Sequence, residues 1–377
     1  MVLQCSKLFV KNIFHVKIRC LWAVAFYIES SIPQLRRTHI MIHFEELENT
    51  MEQMLQDGKG ILAADESNGT IGKRFATINT ENTEQNRRDY RLLLATTPDL
   101  EQYINGVILF EETFYQKDDE GTPIAELFAK KGIVPGIKVD KGLVDLANTE
   151  NEKVTQGLDG LTERLVEFKA LGAKFAKWRN VYSISDFTPS LTAIKSGAEN
   201  LARYAAACQA VGIVPIVEPE VLMDGKHSSE QCAEVCEMVL HEVFHALFIH
   251  QVELEHIILK PSMVTCGKEV SPFSDPEEVA DYTISVFRNN VPASVPTINF
   301  LSGGQTPQQA TANLNAMNTI GHQPWLLSFS FGRALQEDCL STWNGKHENV
   351  GKAQEALLKR ARLNSAACLG EYQSDME

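Results

Sequence analysis

The chain has 377 residues, 44% of them apolar and 22% charged, a balance that suits one large globular domain whose core needs no covalent staples. Its formal charge is −14; residues 1–40 carry +5, so the remainder stands at −19. A body that acidic repels nucleic acid and anionic membrane, which argues against both as partners and leaves any anionic metabolite to be met by locally clustered Lys and Arg.

At the N-terminus, Lys7, Lys11, Lys17 and Arg19 precede an apolar run at 20–28, the order of a weak signal or presequence. The run is too short to cross a bilayer. A disordered leader, an organelle presequence and a secretion signal all stay open for residues 1–42, which are set apart as an extension. Against export stands the sequon Asn68-Gly69-Thr70, where a glycan would crowd the end of the first expected strand.

Compact structure is expected from about His43. Apolar positions at helical spacing predict a helix over 45–55, broken by Asp57-Gly58-Lys59-Gly60. An apolar run at 61–64 then ends at Asp65, and Ser67 and Thr70 flank Gly69 at the start of another helix. A helix rich in Arg and Leu is expected over 86–95. Runs at 107–110 and 136–137 end at Glu111 and Lys138. Helix 158–171 leads to a run at 174–176 ending at Lys177, and helix 198–211 to a run at 213–217 ending at Glu218. Helix 228–248 precedes 257–259, which ends at Lys260. Helix 275–289 precedes 298–301, which ends at Ser302-Gly303-Gly304. Helix 307–318 precedes 326–330, which ends at Gly332-Arg333. A closing helix is expected over 348–367, then a short tail at 371–377.

Eight such runs, recurring roughly every 30–45 residues, match the length of a strand–loop–helix–loop unit. The fold class is therefore α/β: a single-domain (β/α)8 TIM barrel over 43–370, with its chemistry at the C-terminal strand ends.

Lys260 carries most weight. An amine at the buried end of a strand loses solvation for its charge, and a second lysine, Lys177, ends another strand of the same set. A partly neutral amine attacks a carbonyl and forms a Schiff base. The protonated imine withdraws electrons from the adjacent carbon, so a C–C bond can break without a metal. Glu218-Pro219-Glu220 offers two carboxylates at i and i+2 for the proton transfers, and Asp65 offers a third. Phosphate recognition is the second theme. Glycines in Ser302-Gly303-Gly304 and Gly332-Arg333 let backbone N–H groups approach an anion, and Arg333 adds a forked donor. Ser67, Thr70 and Lys138 face the same rim, and two separated phosphate sites suggest a bisphosphorylated substrate.

His241-Glu242-Val243-Phe244-His245 matches a zinc-peptidase helix motif, but it lies inside an expected outer helix and its extended form fails at Phe248 and Gln251. Eight cysteines are spread singly, which reads as free thiols in a reducing compartment. Cys232 and Cys236 stand one helical turn apart, side by side on one helix.

Seven segments, in order, resemble the class I fructose-bisphosphate aldolases: 58–67, 136–142, 176–179, 215–220, 259–261, 301–305 and 332–335. The resemblance implies that Lys260 forms the Schiff base, with Glu218 as acid/base partner assisted by Lys177 and Glu220. It implies that Asp65 acts on the C4 hydroxyl, and that Ser302, Gly303, Gly332 and Arg333 hold the C1 phosphate. Ser67, Thr70, Arg74, Lys138 and Arg179 are the remaining substrate contacts it implies. It also implies reversible cleavage of fructose 1,6-bisphosphate in glycolysis, a phosphorylated sugar as substrate, no cofactor, no metal, a homotetramer and the cytoplasm. Two departures stand out. Glu255-His256 occupies the place of the family's Glu-Gly, and the last tyrosine, Tyr372, matches the body rather than a tail tip. The N-terminal extension has no counterpart in the family pattern.

Overall fold

The computed structural model describes residues 43–377; the leader expected at 1–42 lies outside them. Residues 45–377 form one compact unit, and of the unit before it only His43 and Phe44 are described. In chain order the elements are α1 (Phe44–Met54), β1 (Gly60–Ala64), α2 (Asn68–Thr77), α3 (Glu84–Thr96), β2 (Ile104–Leu109), α4 (Glu111–Tyr115), α5 (Ile124–Lys130) and β3 (Val134–Lys138). An antiparallel hairpin follows, β4 (Leu143–Asp145), exposed throughout, with β5 (Lys153–Thr155). Then come α6 (Leu161–Ala170), β6 (Phe175–Tyr182), α7 (Leu191–Ala210), β7 (Val214–Val221), α8 (Ser229–Ile249), β8 (Ile258–Leu259) and α9 (Pro276–Asn290). The chain finishes with β9 (Thr297–Phe300), α10 (Pro307–Thr319), β10 (Leu326–Phe331), α11 (Arg333–Trp343) and α12 (Val350–Cys368). The eight strands other than the hairpin close into a parallel barrel in the order β1-β10-β9-β8-β7-β6-β3-β2, as expected.

Strand residues alternate between the barrel interior and the helix layer. On β6, Phe175, Lys177 and Arg179 share the inner face. Trp178 takes the outer one and stacks on Tyr204 of α7, ring centroids 5.6 Å apart. On β7, Val214, Ile216, Glu218 and Glu220 share the inner face. The lower interior is apolar: Leu47, Met51 and Met54 of α1 plug it against Phe175, Ile216 and Ile258. The same faces become charged one or two residues higher, so each strand carries both the seal and the chemistry.

Filling that floor requires missing side chains elsewhere. The Phe175 ring occupies the space a Cβ at Gly136 would take, and a Cβ at Gly106 would meet Met54 Cε at 2.6 Å. Gly136 leaves room for the Phe175 ring to span the interior, and Gly106 leaves room for the tip of Met54.

Several boundaries differ from expectation. The strand at 174–176 runs on to Tyr182 and that at 213–217 to Val221, so Lys177, Arg179, Glu218 and Glu220 lie within strands. Their charges interrupt the apolar run but not the backbone, because they point into the mouth. Helix α7 starts seven residues earlier than predicted, where the Ser190 hydroxyl caps it. The tail packs back: Tyr372 N donates to Asn315 Oδ1 at 2.9 Å, and Arg360 grips the Glu377 carboxylate with two bonds of 2.8 Å. His256 is buried and pairs with Glu48 of α1 at 2.9 Å, beneath the barrel.

Candidate active site

Parallel register sets the neighbours at the mouth. Lys138 stands level with Lys177, and Arg179 with Glu218. Val217 pairs with Leu259, so Glu218 and Lys260 follow side by side, and Lys260 N donates to Val217 O at 2.8 Å. The side chains complete the arrangement. Lys260 Nζ lies 3.3 Å from Glu218 Oε1, and Lys177 Nζ lies 3.2 Å from the other oxygen of that carboxylate. Lys177 Nζ also meets Asp65 Oδ2 at 2.8 Å. Lys177 and Lys260 are only 3% and 4% exposed, so this is a desolvated nest of two lysines and two carboxyl groups. Arg179 pairs with Glu220, and Lys138 Nζ with Asp140 Oδ1 at 2.6 Å.

Burial opposes the charges of Asp65, Glu218, Lys177 and Arg179, and the opposite charges around them outweigh it. For Asp65, Lys177 does most to overcome burial, followed by Lys260 and Lys138, and the carboxyl sits well below the usual carboxylate range. Glu218 is lowered against burial by Lys177, Lys260 and Arg179. Lys177 is raised against burial by Asp65 and Glu218. Both carboxyls are therefore ionised and Lys177 protonated at neutral pH.

All fourteen site residues predicted from sequence line one cavity of about 750 Å³. On one rim, Ser67 caps α2 by accepting from Thr70 N, and its hydroxyl lies 3.1 Å from that of Thr70. On the other, Gly332 precedes α11 without a side-chain cap, leaving amide N–H groups at a helix N-terminus. Arg333 Nη2 donates to Gly303 O at 2.8 Å, which ties the loops after β9 and β10 together.

Sequence reading missed the support beneath the rim. Glu66 is buried and binds Arg74, Arg91 at 2.7 Å and Gln336 at 3.1 Å. Gln336 Nε2 also donates to Ala63 O at 2.8 Å, and Tyr90 donates to its Oε1 at 3.1 Å. This network aims Arg74 into the cavity. A single signal was available: Glu66 directly follows Asp65 at a strand end, but no apolar period marks Gln336. Elsewhere, His241 and His245 lie exposed on the outer side of α8, and no group of three or more His, Cys, Asp or Glu among the described residues is arranged to hold a metal. No helix among them is long and apolar enough to cross a membrane.

A family model described as fructose-bisphosphate aldolase class-I matches residues 46–377. Fructose-bisphosphate aldolase 6, cytosolic, of Arabidopsis thaliana is 56% identical over 319 residues, covering 84% of this chain and 89% of that protein. Fructose-bisphosphate aldolase 4, cytosolic, of the same plant is 50% identical over 373 residues, 99% of this chain and 94% of that protein. That alignment takes in most of the N-terminal residues, for which the sequence alone predicts no counterpart. Among solved structures, fructose-bisphosphate aldolase from Plasmodium falciparum matches with a TM-score of 0.86 and 51% identity, over 88% of this chain and 96% of that one.

Proposed function

The chain belongs to the class I fructose-bisphosphate aldolase family, whose glycolytic reaction is the reversible cleavage of fructose 1,6-bisphosphate to dihydroxyacetone phosphate and glyceraldehyde 3-phosphate, and we propose that Lys260 is the amine through which it acts. One observation carries the assignment: an ionised, buried Glu218 3.3 Å from Lys260 Nζ, at the floor of a cavity with phosphate-competent groups on two rims.

Glu218 takes a proton from Lys260, and the free amine attacks the C2 carbonyl of the open-chain ketose. The carbinolamine hydroxyl then receives that proton and leaves as water, giving a protonated imine. Lys177 stays charged between Asp65 and Glu218 and stabilises both carboxylates. Asp65 accepts the C4 hydroxyl proton as the C3–C4 bond breaks; the bond's electrons move toward the imine, and glyceraldehyde 3-phosphate departs. Glu220 holds Arg179 in place. Protonation of the enamine and hydrolysis release the second product and restore Lys260.

Ser302, Gly303, Gly332 and Arg333 take the C1 phosphate in this reading, supported by the uncapped start of α11 and the bond from Arg333 to the Gly303 carbonyl. Ser67, Thr70, Arg74, Lys138 and Arg179 take the rest of the substrate. Borohydride trapping with dihydroxyacetone phosphate, followed by peptide mapping, tests the assignment: the reduced adduct is expected on Lys260, and an adduct on any other lysine removes it. Arg333→Ala is expected to raise KM for the bisphosphate at least about tenfold, since a hydrogen bond to a charged group is worth roughly 1.5–3 kcal/mol. An unchanged KM would take Arg333 out of the site.

The assembly in this reading is a homotetramer. Phe187, 79% exposed, lies with Leu191 and Met238 on an apolar patch beside α7 and α8 that a second copy would cover. Sedimentation of the full chain is expected to give four copies, with Phe187→Asp shifting it to smaller species; a monomeric wild type refutes it. The compartment in this reading is the cytoplasm, in keeping with the cytosolic names of the two Arabidopsis relatives. Fractionation with an organelle marker would overturn that.

A further inference from the structure

Outside the barrel mouth, one cluster of nucleophilic side chains has no part in the cleavage chemistry. Cys232 and Cys236 lie one turn apart on α8, both buried, with sulfurs 4.0 Å apart. Residues four apart share a helix face, so the approach follows from spacing. His227 stands just before the Ser228 cap and is 5% exposed. Among the described residues neither of its ring nitrogens makes a well-aligned hydrogen bond. A buried imidazole left in that state needs an explanation. The Cys232 thiol supplies one. Its bond with Cys236 lowers it most, burial opposes this, and His227 and the Thr265 backbone lower it further. Cys236 is pushed the other way by Cys232 and by burial, and stays a thiol. A thiol lowered toward ionisation, 4.0 Å from a second thiol, is the pairing of an attacking and a resolving cysteine.

We infer that Cys232 and Cys236 are an oxidisable dithiol, reached by a small peroxide, whose closure to a disulfide acts on the loop behind the glycines at 302–304. The Cys232 thiolate attacks one peroxide oxygen; the O–O bond breaks and hydroxide leaves, giving a sulfenic acid on Cys232. The Cys236 sulfur then attacks the Cys232 sulfur, and water departs as the S–S bond forms. The proton given up by the Cys232 thiol neutralises the hydroxide. Two thiols are oxidised, and one hydrogen peroxide becomes two waters.

Closure has a mechanical result. A disulfide needs its sulfurs about 2.05 Å apart and its Cβ atoms about 3.5–4.5 Å apart, closer than helix neighbours stand. The first turns of α8 must tighten, which draws on His227 and the loop before it. That loop is strapped down: Gly267 N donates to His227 O at 2.8 Å and Lys268 N to Met223 O at 2.7 Å. At its other end Met223 Sδ accepts from Gly304 N at 3.0 Å. Oxidation below α8 therefore reaches the phosphate loop through Met223. The coupling, though not the thiol chemistry, rests on the phosphate role proposed above for Ser302 and Gly303.

The test treats the full chain with hydrogen peroxide, alkylates remaining thiols and digests with a protease that cuts after Glu234, between the two cysteines. A disulfide joining the two fragments is expected, with KM for the bisphosphate raised about three- to tenfold, the worth of one hydrogen bond. A reductant reverses both changes. Cys236→Ala is expected to keep the untreated KM and lose the response, and Cys232→Ser to do the same should the first variant fold poorly. Free alkylation of both cysteines after peroxide, or a link to Cys266 instead, overturns the site. A Cys232–Cys236 bond with unchanged KM overturns the coupling. A chain without cleavage activity before treatment refutes the aldolase assignment, and the peptide map still reads the thiols.

Discussion

Lys260→Met is expected to reduce cleavage of fructose 1,6-bisphosphate by at least about ten-thousandfold in kcat, the scale seen when a covalent nucleophile is removed. Methionine matches the length of the lysine stem and suits a buried site, so the fold should survive. The change also removes one partner of Glu218, which keeps Lys177 at 3.2 Å as its counter-ion. Substrate binding should persist, because the rim groups are untouched. Steady-state kinetics and isotopically labelled substrate binding read the two separately. Cleavage within tenfold of wild type would mean that another amine does the chemistry, and Lys177 is the nearest rival by position.

Asp65→Asn is expected to lower kcat by about a hundredfold to ten-thousandfold, the range for loss of a general base. The substitution keeps shape but ends the charge that Lys177 meets at 2.8 Å. Its signature is a split between half-reactions. Borohydride should still trap dihydroxyacetone phosphate on the enzyme, since in the proposed mechanism imine formation runs through Glu218. Breakage of the C3–C4 bond should fail. If trapping and cleavage fall together, Asp65 is a structural counter-ion of Lys177 and not the base.

The barrel was legible because its strands are short apolar runs separated by long helical periods, as at 257–259 and 213–217. The candidate site was legible as one cavity because charged residues follow those runs directly, as Asp65 and Lys260 do. What sequence concealed was longer in range. The inner face of β6 alternates Phe175, Lys177 and Arg179, so an apolar-run criterion stops too early and reads a mid-strand lysine as a strand end. Helix α11 went unseen because its start, Gly332-Arg333, reads as a loop. The Glu66 network depends on Arg91 and Gln336, 25 and 270 residues away, and nothing local announces such partners. The pairing of His256 with Glu48 is of the same kind. A residue that departs from the family pattern has a partner on α1, beneath the barrel rather than near the amine.

The ring of Phe175 also ties the fates of distant codons. Positions 136 and 175 sit on different strands, yet the ring fills the space that a side chain at Gly136 would need. A lone Gly136→Ala collides with it, and a lone Phe175→Leu opens a void beneath the reacting groups. Made together, the two changes relieve one another. Lineages of this enzyme should therefore drift at these sites in concert, and a double-mutant cycle across them should yield a favourable interaction of about 0.5–3 kcal/mol that neither single variant foretells.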